Sequence, residues 1–222
     1  QTELINEVSV WVVDEALRKC KQWRKFIPDF KISVNISPKQ LEKKRIAAQI
    51  TRLLSKHGLP GEALILEIIE SAQLDENEEV YAILTKLRQV GIQIAIDDFG
   101  TGYSNLGNLK HLHANILKVD RVFIRDIKEN GYNYNLIHNV IEFAKSNSLK
   151  VCLEGVENTS ELIVLSGLQP DIFQGYLFDK PCSEESLETK YFISNTEEYA
   201  KRLERFDKLE KEKRHAPLVN ME

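Results

Sequence analysis

The feature that most constrains the fold of this chain is a regular alternation of short apolar stretches with amphipathic stretches. The apolar stretches have the composition of buried strands and cover residues 31–36, 63–70, 92–98, 115–120, 149–155 and 171–177. Strands that alternate with helices form a parallel sheet with right-handed crossovers. So many consecutive units favour a barrel over an open sheet, and the predicted fold class is therefore α/β.

Helical spacing of apolar residues predicts the intervening helices, which cover residues 4–26, 38–57, 76–90, 104–112, 121–129, 133–147 and 159–166. Ser37, Pro38 and Gln40 mark a helix start, because Ser caps the helix, Pro suits the first helical position and Gln reaches back to the cap. In the first helix, the stripe expected to face the core consists of Ile5, Val8, Trp11, Val12, Ala16, Leu17 and Cys20.

The end of the chain has a different character from the rest. Residues 196–213 carry a narrow apolar stripe among Glu, Lys and Arg residues. The preferred interpretation is a terminal charged helix packed on the domain, and the alternative is a dimer or inter-domain helix. The predicted division is a barrel domain at residues 1–190 and a C-terminal helical extension at residues 191–222.

Composition restricts the classes of partner. The chain has 222 residues, enough for one large domain, and a net charge of -4 without a basic stripe, which argues against duplex nucleic acid. It has no bilayer-spanning apolar run and no signal-peptide pattern. The three widely spaced cysteines indicate reduced thiols. We therefore expect a cytoplasmic location, although a full-length protein could be membrane-tethered.

Polar residues stand at or near the end of nearly every predicted strand. They are Asn35, Glu67, Asp97, Asp98, Lys118, Asp120, Glu154 and Gln174. Taken singly, each has a structural explanation, such as a helix cap, an exposed strand residue or a salt bridge. In a parallel barrel, however, the carboxyl ends of the strands meet at one face, where active sites lie. Crowded carboxylates at such a face are tolerable when cations neutralise them.

The residue types indicate the chemistry. Amide and carboxylate oxygens without His or Cys suit Mg²⁺ or Mn²⁺. The adjacent Asp97 and Asp98 could serve two metal ions that activate water for attack on a phosphodiester. Lys118 could orient the water or stabilise phosphoryl charge, and Glu154 could accept the proton of the water. The residues alone lead to metal-dependent phosphate-ester or enolate chemistry on a barrel.

Six short segments resemble the EAL family, the bacterial cyclic-di-GMP phosphodiesterase domains. They are residues 34–37, 66–70, 97–104, 117–120, 154–157 and 174–177, followed by residues 180–181. They occur in the order of the family, and the resemblance covers roughly residues 4–182. It implies a modified (β/α)8 TIM-type barrel that hydrolyses cyclic-di-GMP to linear pGpG with two Mg²⁺ or Mn²⁺ ions.

The resemblance also implies residue roles. Asn35, Glu67, Asp97 and Asp98 would be metal ligands, with Glu154 beside the metals, and Lys118 would lie at the catalytic water. Residues expected to bind substrate or to support the site are Glu70, Thr101, Asp120, Glu157, Gln174 and Pro181. The implied partners are cyclic-di-GMP, a second copy in a homodimer, and further signalling domains in a full-length protein.

The sequence departs from the family pattern at several positions. The first barrel strand, whose Glu-x-Leu word supplies a metal ligand, would precede the first helix and is expected to be missing from the chain. Glu15, Ala16 and Leu17 spell the family name, but they lie inside the first predicted helix and receive no catalytic role. Ile69, Leu153 and Asn105 replace the usual Thr, Ala and Ser. These departures leave an alternative in which an impaired EAL domain serves as a cyclic-di-GMP receptor or a dimerisation scaffold.

Overall fold

The computed structural model describes residues 2–42, 45–69, 78–101 and 114–193, and the side chains of residues 2–6 are outside this description. Glu70, the predicted helix at 104–112 and the charged segment at 196–213 also lie outside the described residues. Within the described ranges, no helix combines the length and apolarity needed to cross a bilayer.

In the described ranges, six parallel strands form one sheet in which each strand pairs with the next along the chain. The strands are β1 (Ile32–Asn35), β2 (Leu64–Ile69), β3 (Gln93–Phe99), β4 (Ile116–Val119), β5 (Lys150–Leu153) and β6 (Ile172–Phe173). Described helices lie between β1 and β2, between β2 and β3, between β4 and β5, and between β5 and β6, as the crossovers of a parallel sheet require. This arrangement is a partial (β/α) barrel and confirms the predicted fold class.

The helices connect the strands and cover the sheet. They are α1 (Thr2–Trp23), α2 (Pro38–Leu41), α3 (Ile46–His57), α4 (Glu78–Gln89), α5 (Tyr132–Ser146), α6 (Thr159–Ser166) and α7 (Glu184–Glu188). Short 3₁₀ turns occur at Gly61–Ala63 and Arg121–Phe123, and a π-helical turn follows α7 at Thr189–Ile193.

The alternation of side chains along the strands produces two apolar layers. One face of β2, represented by Leu64, Leu66 and Ile68, packs in the large core. Side chains on the opposite face form a second, smaller layer of Ala95, Ile116 and Cys152, against which Ile65 packs. Because successive side chains point to opposite faces, the residue two positions after each member of the small layer lies on the same face. Those residues are Glu67, Asp97, Lys118 and Glu154.

The predicted helix at 38–57 is two helices, α2 and α3. Ser37 and Gln40 form the expected capping box at the start of α2, where the Ser37 N–H donates to Gln40 Oε1 at 2.6 Å. Leu41 and Ile46 are both buried in the core. In one continuous helix their side chains would point about 140° apart, since each residue turns the helix by about 100°. Breaking the helix between them allows both side chains to reach the core.

Two other predicted elements are shorter than expected. The helical prediction at 121–129 reduces to the 3₁₀ turn Arg121–Phe123, because Asp126 and Asn130 have φ of 54° and 60°. That left-handed conformation interrupts a right-handed helix. The strand predicted at 171–177 keeps only the two residues of β6, after which Gly175 packs its backbone against Val156.

Helix α1 buries a different stripe from the predicted one. Leu17 and Cys20 are fully buried, and Val13 joins them. Trp11 and Val8, which were expected to face the core, are 65% and 51% exposed. The buried residues are spaced i, i+4 and i+7, so the helix is rotated relative to the prediction.

The carboxyl end of α1 is covered by α7 and the π-helical turn. The indole of Trp23 stacks on Phe192 with ring centroids 5.5 Å apart, and its Nε1 donates to Glu188 at 2.9 Å. Residues of α7 and of the π-helical turn therefore pack against α1.

Candidate active site

A buried lysine occupies the centre of the candidate site. The Nζ of Lys118 lies 2.7 Å from Asp97 Oδ1, 2.8 Å from Glu67 Oε2 and 2.8 Å from Glu154 Oε1. The lysine residue is 5% exposed. The four residues come from β2, β3, β4 and the position directly after β5, so neighbouring strand ends supply one cluster.

The charge of the lysine is maintained by its partners. Burial by itself would lower the pKa of Lys118, but hydrogen bonds to Asp97, Glu154 and Glu67 outweigh that effect and raise the pKa above its ordinary value. The ammonium group therefore stays protonated at neutral pH, and it compensates part of the negative charge of the three carboxylates.

Two carboxyl groups of the cluster hold protons more tightly than usual. Burial raises the pKa of Glu154 to about 7, with contributions from Asp97 and Glu67 and against the opposing effect of Lys118. The pKa of Asp98 is also raised, first by burial and then by the charges of Asp97 and Asp120. Both shifts arise first from burial, with a smaller contribution from neighbouring carboxylates, and a bound cation would oppose both.

The adjacent acids Asp97 and Asp98 face the same site because β3 is irregular there. The register between β3 and β4 shifts between Ile96 and Phe99. Asp98 has a φ of 55°, in the left-handed region, whereas an undistorted strand would send two consecutive side chains to opposite faces. The turn is closed by Thr101, whose Oγ1 and backbone N–H donate to the Asp98 carbonyl at 2.9 and 3.2 Å.

The resulting donor set fits a hard divalent cation. Asp97, Asp98 and Glu154 each offer a carboxylate oxygen, and these atoms lie within 4.8 Å of one another. Carboxylate oxygens without nitrogen or sulfur are the donors that Mg²⁺ and Mn²⁺ prefer. Asn35 pairs in register with Glu67, so its strand end adjoins the cluster from the β1 side.

Other predicted residues lie around this cluster at varying distance. Asp120 accepts from the Val122 N–H at 2.8 Å and is close enough to Asp98 to raise its pKa. Gln174 lies beside the end of β5, because its N–H donates to the Leu153 carbonyl at 2.9 Å.

Thr101, Glu157 and Pro181 are exposed. Within the described part of the chain, Thr101 reaches the acidic cluster only through the Asp98 carbonyl, and no hydrogen bond or ion pair joins Glu157 or Pro181 to that cluster. Glu157 donates its backbone N–H to Glu161 at the start of α6. Thr101 contacts the turn after Asp98, and Pro181 follows the turn that contains Asp179. Glu70 lies outside the described residues.

Cys152 contributes to the site although sequence reasoning treated it only as a reduced thiol. It is buried on the face that carries Glu154, and burial raises the pKa of its thiol to about 12. The neutral thiol is part of the apolar layer beneath the charged groups. Its position two residues before Glu154 is the sequence signal that identifies it.

Comparisons with known proteins agree with this geometry. The family model of the EAL domain matches residues 1–181. The signaling protein YkoW of Bacillus subtilis (strain 168) is 34% identical over 188 residues, which are 85% of this chain and 24% of that protein. The cyclic di-GMP phosphodiesterase PdeF of Escherichia coli (strain K12) is 33% identical over 178 residues, which are 80% of this chain and 24% of that protein.

A solved structure extends the similarity to three dimensions. The PaMucR phosphodiesterase in its c-di-GMP complex superposes with a TM-score of 0.77 at 34% identity, covering 84% of this chain and 81% of that chain. By contrast, this chain spans 24% of the length of each of the two curated relatives.

Proposed function

Because the chain belongs to the EAL domain family, we propose that it hydrolyses cyclic-di-GMP to linear pGpG as one domain of a bacterial signalling protein. The observation that carries this proposal is the cluster in which Lys118 contacts Glu67, Asp97 and Glu154. A lysine among carboxylates at the carboxyl end of parallel strands suits the positioning of water and phosphate beside divalent cations.

The residues divide into those that hold cations and those that act on water. Asp97, Asp98 and Glu154 would hold Mg²⁺ or Mn²⁺, with Asn35 and Glu67 as further ligands. Two bound ions would lower the pKa of water and neutralise the phosphodiester. The carboxylates supply the negative charge that such ions require. The small apolar layer, which includes Cys152, keeps water away from the underside of the site.

Lys118 and Glu154 would act on the reacting groups. The Lys118 ammonium would hold the attacking water or a phosphoryl oxygen, because it is charged and its neighbours fix its position. Glu154, whose Oε1 lies 2.8 Å from the Lys118 Nζ, could take a proton from that water. The water oxygen bonds to phosphorus as one ester P–O bond breaks, and the leaving sugar oxygen receives a proton.

The assay that tests this proposal follows pGpG by chromatography after cyclic-di-GMP and Mn²⁺ are added to the purified chain. We expect a pGpG peak that grows with time and disappears when the metal is chelated. A lack of product at enzyme concentrations near those of the substrate would contradict hydrolysis by this chain.

A receptor that binds cyclic-di-GMP without cutting it is the second candidate. Ile69, which replaces a Thr of the family pattern, is 52% exposed and pairs in register with Asp97. Calorimetry that detects tight nucleotide binding in a sample without turnover would favour this candidate over the enzyme.

The remaining expectations concern the surroundings of the domain. We propose a homodimer, further signalling domains in a longer protein, and a cytoplasmic location. The 24% span of the curated relatives supports the additional domains, and the free thiols of Cys20, Cys152 and Cys182 suit a reducing compartment. Light scattering on the purified chain measures the oligomeric state directly.

A further inference from the structure

The 3₁₀ turn Arg121–Phe123 lies between the strand ends that carry the acidic residues. It follows β4, which carries Lys118, and Asp120 caps it by accepting from the Val122 N–H at 2.8 Å. Two of its residues contact glycines of the neighbouring strand ends, Gly100 after β3 and Gly155 after β5. One short element therefore adjoins both sides of the acidic cluster.

The contact on the β3 side is made by the ring of Phe123. A Cβ atom on Gly100 would lie 2.7 Å from Cε2 and 3.0 Å from Cζ of that ring, so no larger residue fits there without displacing it. Gly100 has a φ of 96°, which side chains rarely tolerate, and it follows Asp98 by two residues. The aromatic ring thus packs directly on the turn that aims the Asp98 carboxylate.

The contact on the β5 side is made by Arg121. Its Cβ packs against Gly155, the residue after Glu154, where the φ of 74° again suits glycine. The turn therefore touches the chain two residues after Asp98 through the Phe123 ring, and the residue after Glu154 through Arg121. Asp98 and Glu154 are two of the three residues whose carboxylate oxygens lie within 4.8 Å of one another.

We propose that Phe123 is a positioning residue for the cation site, acting through Gly100 on Asp98. The left-handed conformation of Asp98 costs free energy and persists only where its surroundings impose it. Phe123 supplies that constraint through the packing of its ring on Gly100. This inference rests on the cation site of the proposed function and extends it to a residue outside the acidic cluster.

The test compares two phenylalanines that are packed in a similar way but lie at different places in the fold. Phe123 and Phe143 are both partly buried and both pack against the large core, but Phe143 lies on α5. Phe123→Ala and Phe143→Ala therefore remove the same ring, one beside the Asp98 turn and one away from it. Phe123→Leu restores apolar volume at the first position.

Two readouts are measured on each variant. Calorimetric titration of Mn²⁺ without nucleotide gives cation affinity, and hydrogen exchange gives the protection of residues 97–101, where the Thr101 N–H donates to Asp98. We expect Phe123→Ala to weaken Mn²⁺ binding by about tenfold or more, as loss of a residue that orients metal ligands does, and to speed exchange in that segment. Phe143→Ala should leave both near wild type, and Phe123→Leu should recover most of the loss.

Equal Mn²⁺ affinity and equal exchange in the two alanine variants would overturn the inference. If Phe123→Ala does not fold, Phe123→Leu replaces it, and wild-type values for that variant in both readouts would also overturn the inference. If the wild-type chain binds no Mn²⁺, the proposed cation site fails, and the exchange comparison alone decides whether Phe123 holds the turn. Metal binding without pGpG formation would contradict the proposed hydrolysis. The Mn²⁺ affinity and hydrogen exchange of the variants would still decide the role of Phe123.

Discussion

At the scale of single residues, Lys118 compensates part of the negative charge of the strand-end carboxylates. Its ammonium contacts three carboxylates and is almost fully removed from water. Removal of one partner from a buried ionic group leaves the others uncompensated, which is far more costly than the loss of a surface pair. The lysine therefore contributes to folding as well as to the proposed chemistry.

Lys118→Ala should destabilise the chain without added metal by about 3–5 kcal/mol at pH 8, which is above the pKa of about 7 of Glu154. Mn²⁺ should recover part of that loss, so the rise in Tm on adding Mn²⁺ should be larger in the variant than in wild type. Thermal denaturation with and without Mn²⁺ measures this difference, and pGpG formation should be lost.

The matched control for that variant is Lys56→Ala. Lys56 pairs with Asp14 at 2.7 Å on the surface, where ion pairs contribute about 0–1 kcal/mol. The rise in Tm on adding Mn²⁺ should be the same for Lys56→Ala as for wild type. A Lys118→Ala chain that is as stable as the Lys56→Ala chain would contradict the role assigned to the buried ammonium.

Sequence reasoning identified the central residues because they are polar side chains at the carboxyl ends of predicted parallel strands. Glu67, Asp97, Lys118 and Glu154 share a face with the small apolar layer, and this relation can be read from the sequence. The alternation of strand side chains would place Asp98 on the opposite face. Its approach to the cluster depends on the register shift and positive φ, which involve backbone geometry that no local sequence pattern specifies.

At the scale of elements, capping groups and buried positions decide where helices begin and end. The start of α2 was predictable from Ser37 and Gln40, because a capping box is a local pattern. The break before α3 was not, since it follows from the need of Leu41 and Ile46 to reach one core. Likewise, the rotation of α1 depends on which neighbours cover it.

The loop after β6 is tied to the π-helical turn by one carboxylate. Asp179 accepts from Lys190 Nζ at 2.6 Å and from the Tyr191 hydroxyl at 2.5 Å. These hydrogen bonds lower the pKa of Asp179 from its ordinary value of 3.8. A carboxyl whose pKa is lower in the folded state stabilises the fold above its unfolded pKa, and this stabilisation is lost as the pH falls through the folded value.

Asp179→Asn should therefore reduce the free energy of unfolding at pH 6 by no more than about 1 kcal/mol, because the group is partly exposed. The difference from wild type should shrink as the pH falls below 3.8, where the wild-type carboxyl also becomes protonated. Urea denaturation at pH 6 and at acidic pH measures this difference in the free energy of unfolding. As a control, Asp126→Asn, at an exposed position, should have the wild-type free energy of unfolding at both pH values. If Asp179→Asn lost the same free energy of unfolding at both pH values, the charge-based explanation would be contradicted.

At the scale of the whole molecule, the parallel sheet brings distant positions to one face. Residues from β2 to the end of β5 meet around a single ammonium group, although they are separated by up to 87 positions in the sequence, from Glu67 to Glu154. The alternation of elements was sufficient to predict this convergence. It could not specify distances, which depend on register and on the close packing of turns against Gly100 and Gly155.

The central claim is that the strand-end carboxylates around Lys118 form one divalent-cation site that acts on cyclic-di-GMP. A crystal of the chain with Mn²⁺ and cyclic-di-GMP, measured for anomalous scattering, tests it most directly. We predict Mn²⁺ peaks at coordination distance from Asp97, Asp98 and Glu154, about 2.0–2.3 Å from their oxygens, with a nucleotide phosphate beside them. Nucleotide bound elsewhere, or a site in which Lys118 keeps all three carboxylates and no Mn²⁺ peak appears, would contradict the claim.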